Sequence, residues 1–315
     1  MVRNQILRRI LGRLARALSV AFWVMVISFA LIRLSPGDPA SVKLGIGADQ
    51  KAIELLRAQL KLDGNPILQF FSYVGDILHG NFGESLQTGR GVLDIIGSTF
   101  PLTINLILLS TLASLLLSIP IGTFIAWSGK APLVYGFRGI TAIFIATPNF
   151  FIAMVLMIFF SVRHNWAPVF GYVGDFPQNL KYLWLPVLVN TLIMTSVISR
   201  VLFSSVIETK DEEFVETGII RGVGRGRFFW FYILKPSLAP TVVLLSYMMG
   251  TMLGATVILE TIFSLPGIGR ELVDAVLTSD YPLVQGILLF FGAITVFLSF
   301  TGDVIAYLLD RRVKI

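Results

Sequence analysis

Cysteine is absent from the chain, which excludes disulfides, thiolate metal sites and cysteine nucleophiles while leaving the compartment open. Histidine is nearly absent: His79 and His164 stand alone, with no partner ligands at recognisable spacing, so no metal centre is expected. Charge is scarce too. Asp, Glu, Lys and Arg make up 14% of 315 residues against 55% hydrophobic, with a mean hydropathy of +0.80, and such a composition belongs in a bilayer. The net charge of +6 is dispersed between apolar stretches rather than gathered with stacking aromatics, so no nucleic-acid partner is expected. No phosphate-binding G-x-x-x-x-G-K-[ST] loop occurs. Even "SGKA", Ser128 to Ala131, has Phe124 where the first glycine would stand, so the chain itself is expected to bind no nucleotide. Paired catalytic groups are missing as well, which disfavours a membrane enzyme.

What is present is a series of apolar runs. A spanning helix needs about 20 predominantly apolar residues to cross ~30 Å of hydrocarbon, and six stretches qualify. They are Leu18 to Leu34, a window within Ile95 to Gly129, another between Arg138 and Arg163, then Tyr182 to Ile207, Pro236 to Leu259 and Tyr281 to Gly302. With six spans, the basic arm (Arg3, Arg8, Arg9, Arg13, Arg16), the Lys130 and Arg138 connection, the stretch "KDEEFVETGIIRGVGRGRFFWFYILKPSLAP" and the tail "DRRVKI" share one side. The excess of basic residues makes that side, and both termini, cytoplasmic. The first run lacks a small-x-small cleavage pattern, so it reads as a retained anchor rather than a signal peptide. The expected organisation is an arm at 1–17, a first span at 18–34, an extracytoplasmic segment at 35–100, a core at 101–310 containing a loop at 208–238, and a tail at 311–315.

Within 35–100, Ile53, Leu56 and Leu60 recur at helical spacing, predicting a short helix in a small folded cap. In the cytoplasmic loop, Thr209 and Glu212 have capping-box spacing, so a helix is expected to start near Lys210 and to end at "GVGRG". Phe214, Gly218, Ile219 and Gly222 would give that helix a shallow side that another surface could approach. Pro236 and Pro240 are expected to stop the loop before the fifth span.

"FVETGIIRGVGRGRFF" resembles the EAA loop of membrane permease subunits in bacterial ABC importers, more narrowly those of the dipeptide, oligopeptide and nickel family. The similarity extends through "SPGDPA", "LKLDGNPILQFFSYVGDILHGNFGESL", "ATPNFFIA", "ETIFSLPGIGRELVDAVLTSDYPLVQG" and "DVIAYLLDRR". Gly218 and Ile220 stand where alanine is usual, Glu216 where a basic residue is common, and Arg311 where proline is usual. The resemblance implies an all-α integral membrane protein with six transmembrane helices of the importer-permease type, in the bacterial inner membrane. It also implies a paralogous permease partner in a heterodimer, two ATP-binding subunits that hold ATP and Mg, and an extracytoplasmic substrate-binding protein. By the same resemblance Glu212, Glu213, Phe214, Glu216, Thr217, Gly218, Arg221 and Gly222 form the coupling helix that seats on an ATPase.

Pathway or gating candidates are Pro148, Asn149, Asn105, Asn190, Glu260 and Asp280, with Pro148 a plausible hinge in the third span. Pro36, Gly37 and Pro39 read better as a turn at a membrane exit than as ligand contacts. An ion-coupled secondary transporter would need ionisable groups inside its spans. Arg33, Glu260 and Asp303 lie near ends where they could snorkel, leaving Arg200 as the only candidate, and it lies near the cytoplasmic end of the fourth span. Short peptides are the expected cargo. Oligosaccharides, for which Trp166, Tyr172 and Trp184 could serve as platforms, and nickel complexes stay open.

Overall fold

The computed structural model describes residues 19, 21–27, 29–30, 44, 49–59, 65–174 and 177–309. The basic arm, Arg33, the turn at Pro36 to Pro39 and the tail with Arg311 lie outside the described residues, as does most of the first apolar run's flank. The described structure is built from helices, named here in chain order: α1 (Gln50–Gln59), α2 (Pro66–Leu78), α3 (Val92–Ser128), α4 (Ala131–Ala146), α5 (Asn149–Leu156), α6 (Leu180–Lys210), α7 (Glu213–Ile220), α8 (Arg225–Ile262), α9 (Ile268–Leu277) and α10 (Tyr281–Leu309).

Four of these, α3, α6, α8 and α10, are long and apolar enough to cross a membrane. A fifth span results if α4 and the helix Asn149–Arg163 count as one, although the two meet at 98°. Helix α1 falls where the spacing of Ile53 predicts one. Helix α2 follows from its cap: the Asn65 side chain accepts from the Ile67 N–H at 2.9 Å and Pro66 occupies the first turn, where a missing N–H costs nothing.

The chain forms two compact units. One comprises residues up to Leu102 together with Pro266–Ile294. Its core joins Val92, Ile95 and Ile96 of α3 to Ile268 and Ala275 of α9 and to Leu283 and Ile287 of α10. That packing explains why α3 begins at Val92, earlier than the apolar count alone places it. The other unit, Thr103–Leu265 with the residues from Thr295 on, packs α6 against both α4 and α8. Its core gathers Ile125 and Ala126 of α3, Phe137 of α4, Leu202, Phe203 and Val206 of α6, Val215 of α7, and Ile233 and Leu234 of α8. The short helix α7 is thus wedged into the core by one valine.

At two places prolines act differently from what the sequence predicts. Pro236 and Pro240 do not stop the chain ahead of a span: α8 runs unbroken from Arg225 through both, with a π-helical stretch at Phe228–Leu234. Pro148 does not bend a continuous helix either. Thr147 and Pro148 are both extended, and a new helix begins at Asn149 with Pro148 as its cap.

Candidate functional site

Helix α6 continues through Lys210, so Thr209 is a buried helical residue rather than a cap. Its hydroxyl lies 2.9 Å from that of Ser237 on α8, a partner that a helix start at Thr209 would forfeit. The capping-box expectation therefore fails, and Glu212, extended at φ −81°, ψ 140°, precedes the first turn of α7. Glu213 and Glu216 sit in that turn, where the helix dipole favours negative charge. At the other end Gly222 adopts φ +66°. The Val223 N–H reaches Gly218 O at 3.3 Å and the Gly222 N–H reaches Ile219 O at 2.9 Å, the paired bonds of a Schellman stop that glycine makes without strain.

The two faces of α7 differ. Inward, Val215 and Gly218 are buried. A Cβ on Gly218 would lie 2.8 Å from the Tyr232 ring and 3.4 Å from Phe228, so the close approach this glycine permits is to its own chain. Phe214 and Phe228 both stack on Tyr232, at 6.3 and 5.7 Å between centroids, fixing α7 to the π-helical stretch of α8. Outward, Glu213, Glu216, Thr217 and Arg221 are exposed, and Ile219 and Ile220 are 64% and 78% exposed. Asp211, Glu212, Glu213, Phe214 and Thr217 line an open depression of about 530 Å³. Lys210 anchors the entry to this element: its ammonium donates to Ala126 O at 2.7 Å and lies 4.7 Å from the centre of the Trp127 ring.

The face expected from Phe214, Gly218, Ile219 and Gly222 is therefore split between an inner seam and an outer surface. The aromatic half of the seam, Phe228 and Tyr232, was not legible in the loop, because ten or more residues separate these rings from Gly218. In the sequence Ile220 stands out only as a departure from alanine, though its apolar side chain outside any span is the available signal.

The pathway candidates do not form one site. Asp280, 1% exposed, receives the Ser85 hydroxyl at 2.5 Å, the Leu86 N–H at 3.1 Å and the Leu283 N–H at 3.4 Å, tying the loop at 85–87 to the start of α10. That is the geometry of a clamp and helix cap. Glu260 does not snorkel: it is fully buried and accepts from the Thr103 hydroxyl at 2.6 Å. Asn190 is fully buried with neither amide atom partnered among the described residues. Asn105 and Pro148 are exposed and Asn149 is half-buried. The histidines serve local backbone, His79 donating to Gly75 O and His164 to Phe159 O, each at 2.7 Å. Among the described residues no group of three or more His, Asp or Glu is arranged to hold a metal ion. Trp166 and Trp184 both pack on Phe160, at 5.6 and 5.4 Å, and Tyr172 pairs with Tyr182.

A family model described as "Binding-protein-dependent transport system inner membrane component" matches residues 118–315, and one for the N-terminal part of such membrane components matches residues 4–107. The chain is 31% identical over 309 residues to a "Probable peptide ABC transporter permease protein" of Sinorhizobium fredii, covering 97% of this chain and 98% of that one. It is 30% identical over 328 residues to the "Di/tripeptide transport system permease protein DppB" of Pseudomonas aeruginosa, covering 96% and 97%.

Proposed function

The chain belongs to the family of binding-protein-dependent transport system inner membrane components, and from that premise we propose that it conducts short peptides as one permease subunit of an ATP-driven importer. Near-full-length similarity to relatives named as peptide permeases supports the cargo. The observation that carries the mechanism is the two-faced helix α7. It projects two isoleucines and an acidic edge outside the spans while its inner face is stacked on α8 and wedged into the core.

In this reading α7 is the coupling helix, lies on the cytoplasmic side, and seats in a groove of an ATP-binding partner. The partner binds ATP and Mg; this chain hydrolyses nothing. Displacement of α7 moves the Phe214, Tyr232 and Phe228 stack as a unit, and so moves the head of α8. Val215 delivers the same displacement to α3, α4 and α6 through their shared core. A paralogous permease completes the pathway, a second ATPase serves it, and an extracytoplasmic binding protein delivers the cargo. Six spans with both termini cytoplasmic complete the arrangement.

The test is Ile220→Glu in the complete purified complex. Ile220 is 78% exposed, so the chain's own packing is unaffected. Loss of a central apolar contact to the ATPase should lower peptide uptake and peptide-stimulated ATP hydrolysis by about tenfold or more. Parental rates of both would defeat the coupling assignment.

A further inference from the structure

Arg200 is a basic residue about 15 Å from the end of α6 as counted along the helix. An ionisable group at such a position is costly and calls for a function. Its guanidinium is held from one side, Nε donating to the Thr141 hydroxyl at 2.7 Å and Nη2 to Arg138 O at 2.8 Å, both on α4. Those bonds orient it without neutralising it, and no ion pair reaches it among the described residues. Two turns on, Glu208 is exposed, and its carboxylate likewise has no partner among the described residues. The two charges line one open cavity of about 270 Å³ with Val201, Ser204, Ser205 and Pro240.

We propose that this cleft between α6 and α8 binds the ends of a zwitterionic peptide, carboxylate on Arg200 and ammonium on Glu208. The inference rests on the peptide-importer reading. Eight residues of helix set the two backbone positions ~12 Å apart along the axis, and an extended peptide spans ~3.3–3.6 Å per residue, so a peptide of three or four residues matches that spacing. The opposed charges decide the cargo class. An uncharged oligosaccharide leaves both groups desolvated without a counter-charge, and a cargo of one sign leaves one so. The bonds to α4 add preorganisation, since the guanidinium is already oriented when the carboxylate arrives.

Because the chain has no cysteine, Ser204→Cys places a single thiol in the cleft. In the full reconstituted complex, without binding protein, trialanine should slow maleimide labelling of that thiol. N-acetyl-trialanine amide, the same backbone without end charges, should not. Adding Glu208→Gln or Arg200→Gln should raise the half-protecting trialanine concentration about tenfold, the equivalent of one charge-assisted hydrogen bond. Arg200→Lys, which retains the charge, should restore most of the protection and so separates charge from folding. Equal protection by both peptides, or none by trialanine, overturns the proposal. So does a thiol that labels in the isolated chain but is shielded in the complex with or without peptide, which would mark an interface with another subunit. If such a complex still imports trialanine with its binding protein and ATP, the importer reading stands without the cleft. If it imports no trialanine, the peptide reading falls and the cleft with it.

Discussion

Between Thr147 and Pro148 the chain leaves its helix and turns through 98°, whereas at Pro236 and Pro240, in an equally apolar stretch, the helix runs on from Arg225 to Ile262. Proline removes one donor and crowds the preceding turn in both places. The surroundings differ. Ahead of Pro236 the helix has widened into a π turn, with the Lys235 N–H bonded to Trp230 O five residues back. Beside it the Ser237 hydroxyl lies 2.7 Å from Ile233 O, 2.9 Å from the Thr209 hydroxyl and 3.3 Å from Ser205 O, so the proline-bearing turn is tied to the neighbouring helix α6. At Thr147 the hydroxyl instead closes the helix end, donating to Ile143 O at 2.7 Å, and both halves of the broken stretch then pack separately on α6. Proline marks where a helix can yield, and packing decides whether it does.

The largest effect should come from removing the support at α8. Ser237→Ala deletes the hydroxyl shared among three buried oxygens and leaves Thr209 without that contact. The expected cost is about 1–3 kcal/mol, the range for stranding a buried polar group. Thermal unfolding of the purified complex followed by tryptophan fluorescence should show a lower midpoint. An unchanged midpoint would mean that the tie to α6 adds nothing to the stability of the proline-bearing turn.

A smaller effect is expected at the break. Because α4 and α5 are each held by α6, Pro148→Ala should keep the bend and destabilise by only about 0.4–1 kcal/mol, through a freer unfolded chain. Spin labels introduced with Ile140→Cys and Ile158→Cys occupy exposed sites on either side of it. A straight helix would set the two backbone positions ~27 Å apart. A shift of the measured distance towards that value on Pro148→Ala would show that proline, not packing, makes the turn.

The same division explains what could be read in advance. Apolar runs locate α3, α6, α8 and α10, since a bilayer imposes length and hydropathy on each segment separately. The spacing around Ile53 predicts α1 for an equally local reason. Failures arose where a distant residue claims a side chain. Thr209 has a capping signature, but Ser237 engages it. Gly218 looks like a contact for another protein, but Tyr232 covers it. Glu260 sits where it could reach water, yet it is buried against Thr103, far away in sequence. In the candidate coupling element, the acidic first turn and the glycine stop were legible, whereas the aromatic stack that ties it to α8 was not.

The smallest effect, and the sharpest test of the comparison, is expected from Pro236→Ala. In an ordinary helix interior a proline costs about 3 kcal/mol or more relative to alanine, so its removal would normally stabilise strongly. Here the helix has already widened into a π turn ahead of Pro236, so the ring does not face an ordinary α-helical turn, and the segment is held to α6 through Ser237 whether or not residue 236 carries an N–H. Alanine also frees the unfolded chain, which offsets part of any gain by about 0.4–1 kcal/mol. The net change should therefore stay within about 1 kcal/mol in either direction. Uptake by the assembled complex should also be close to the parent's, because the Phe214, Tyr232 and Phe228 stack lies ahead of the substitution. Stabilisation approaching the full proline penalty would show that α8 carries unrelieved strain at Pro236, and the contrast with Pro148 would then rest on tolerated strain rather than on packing.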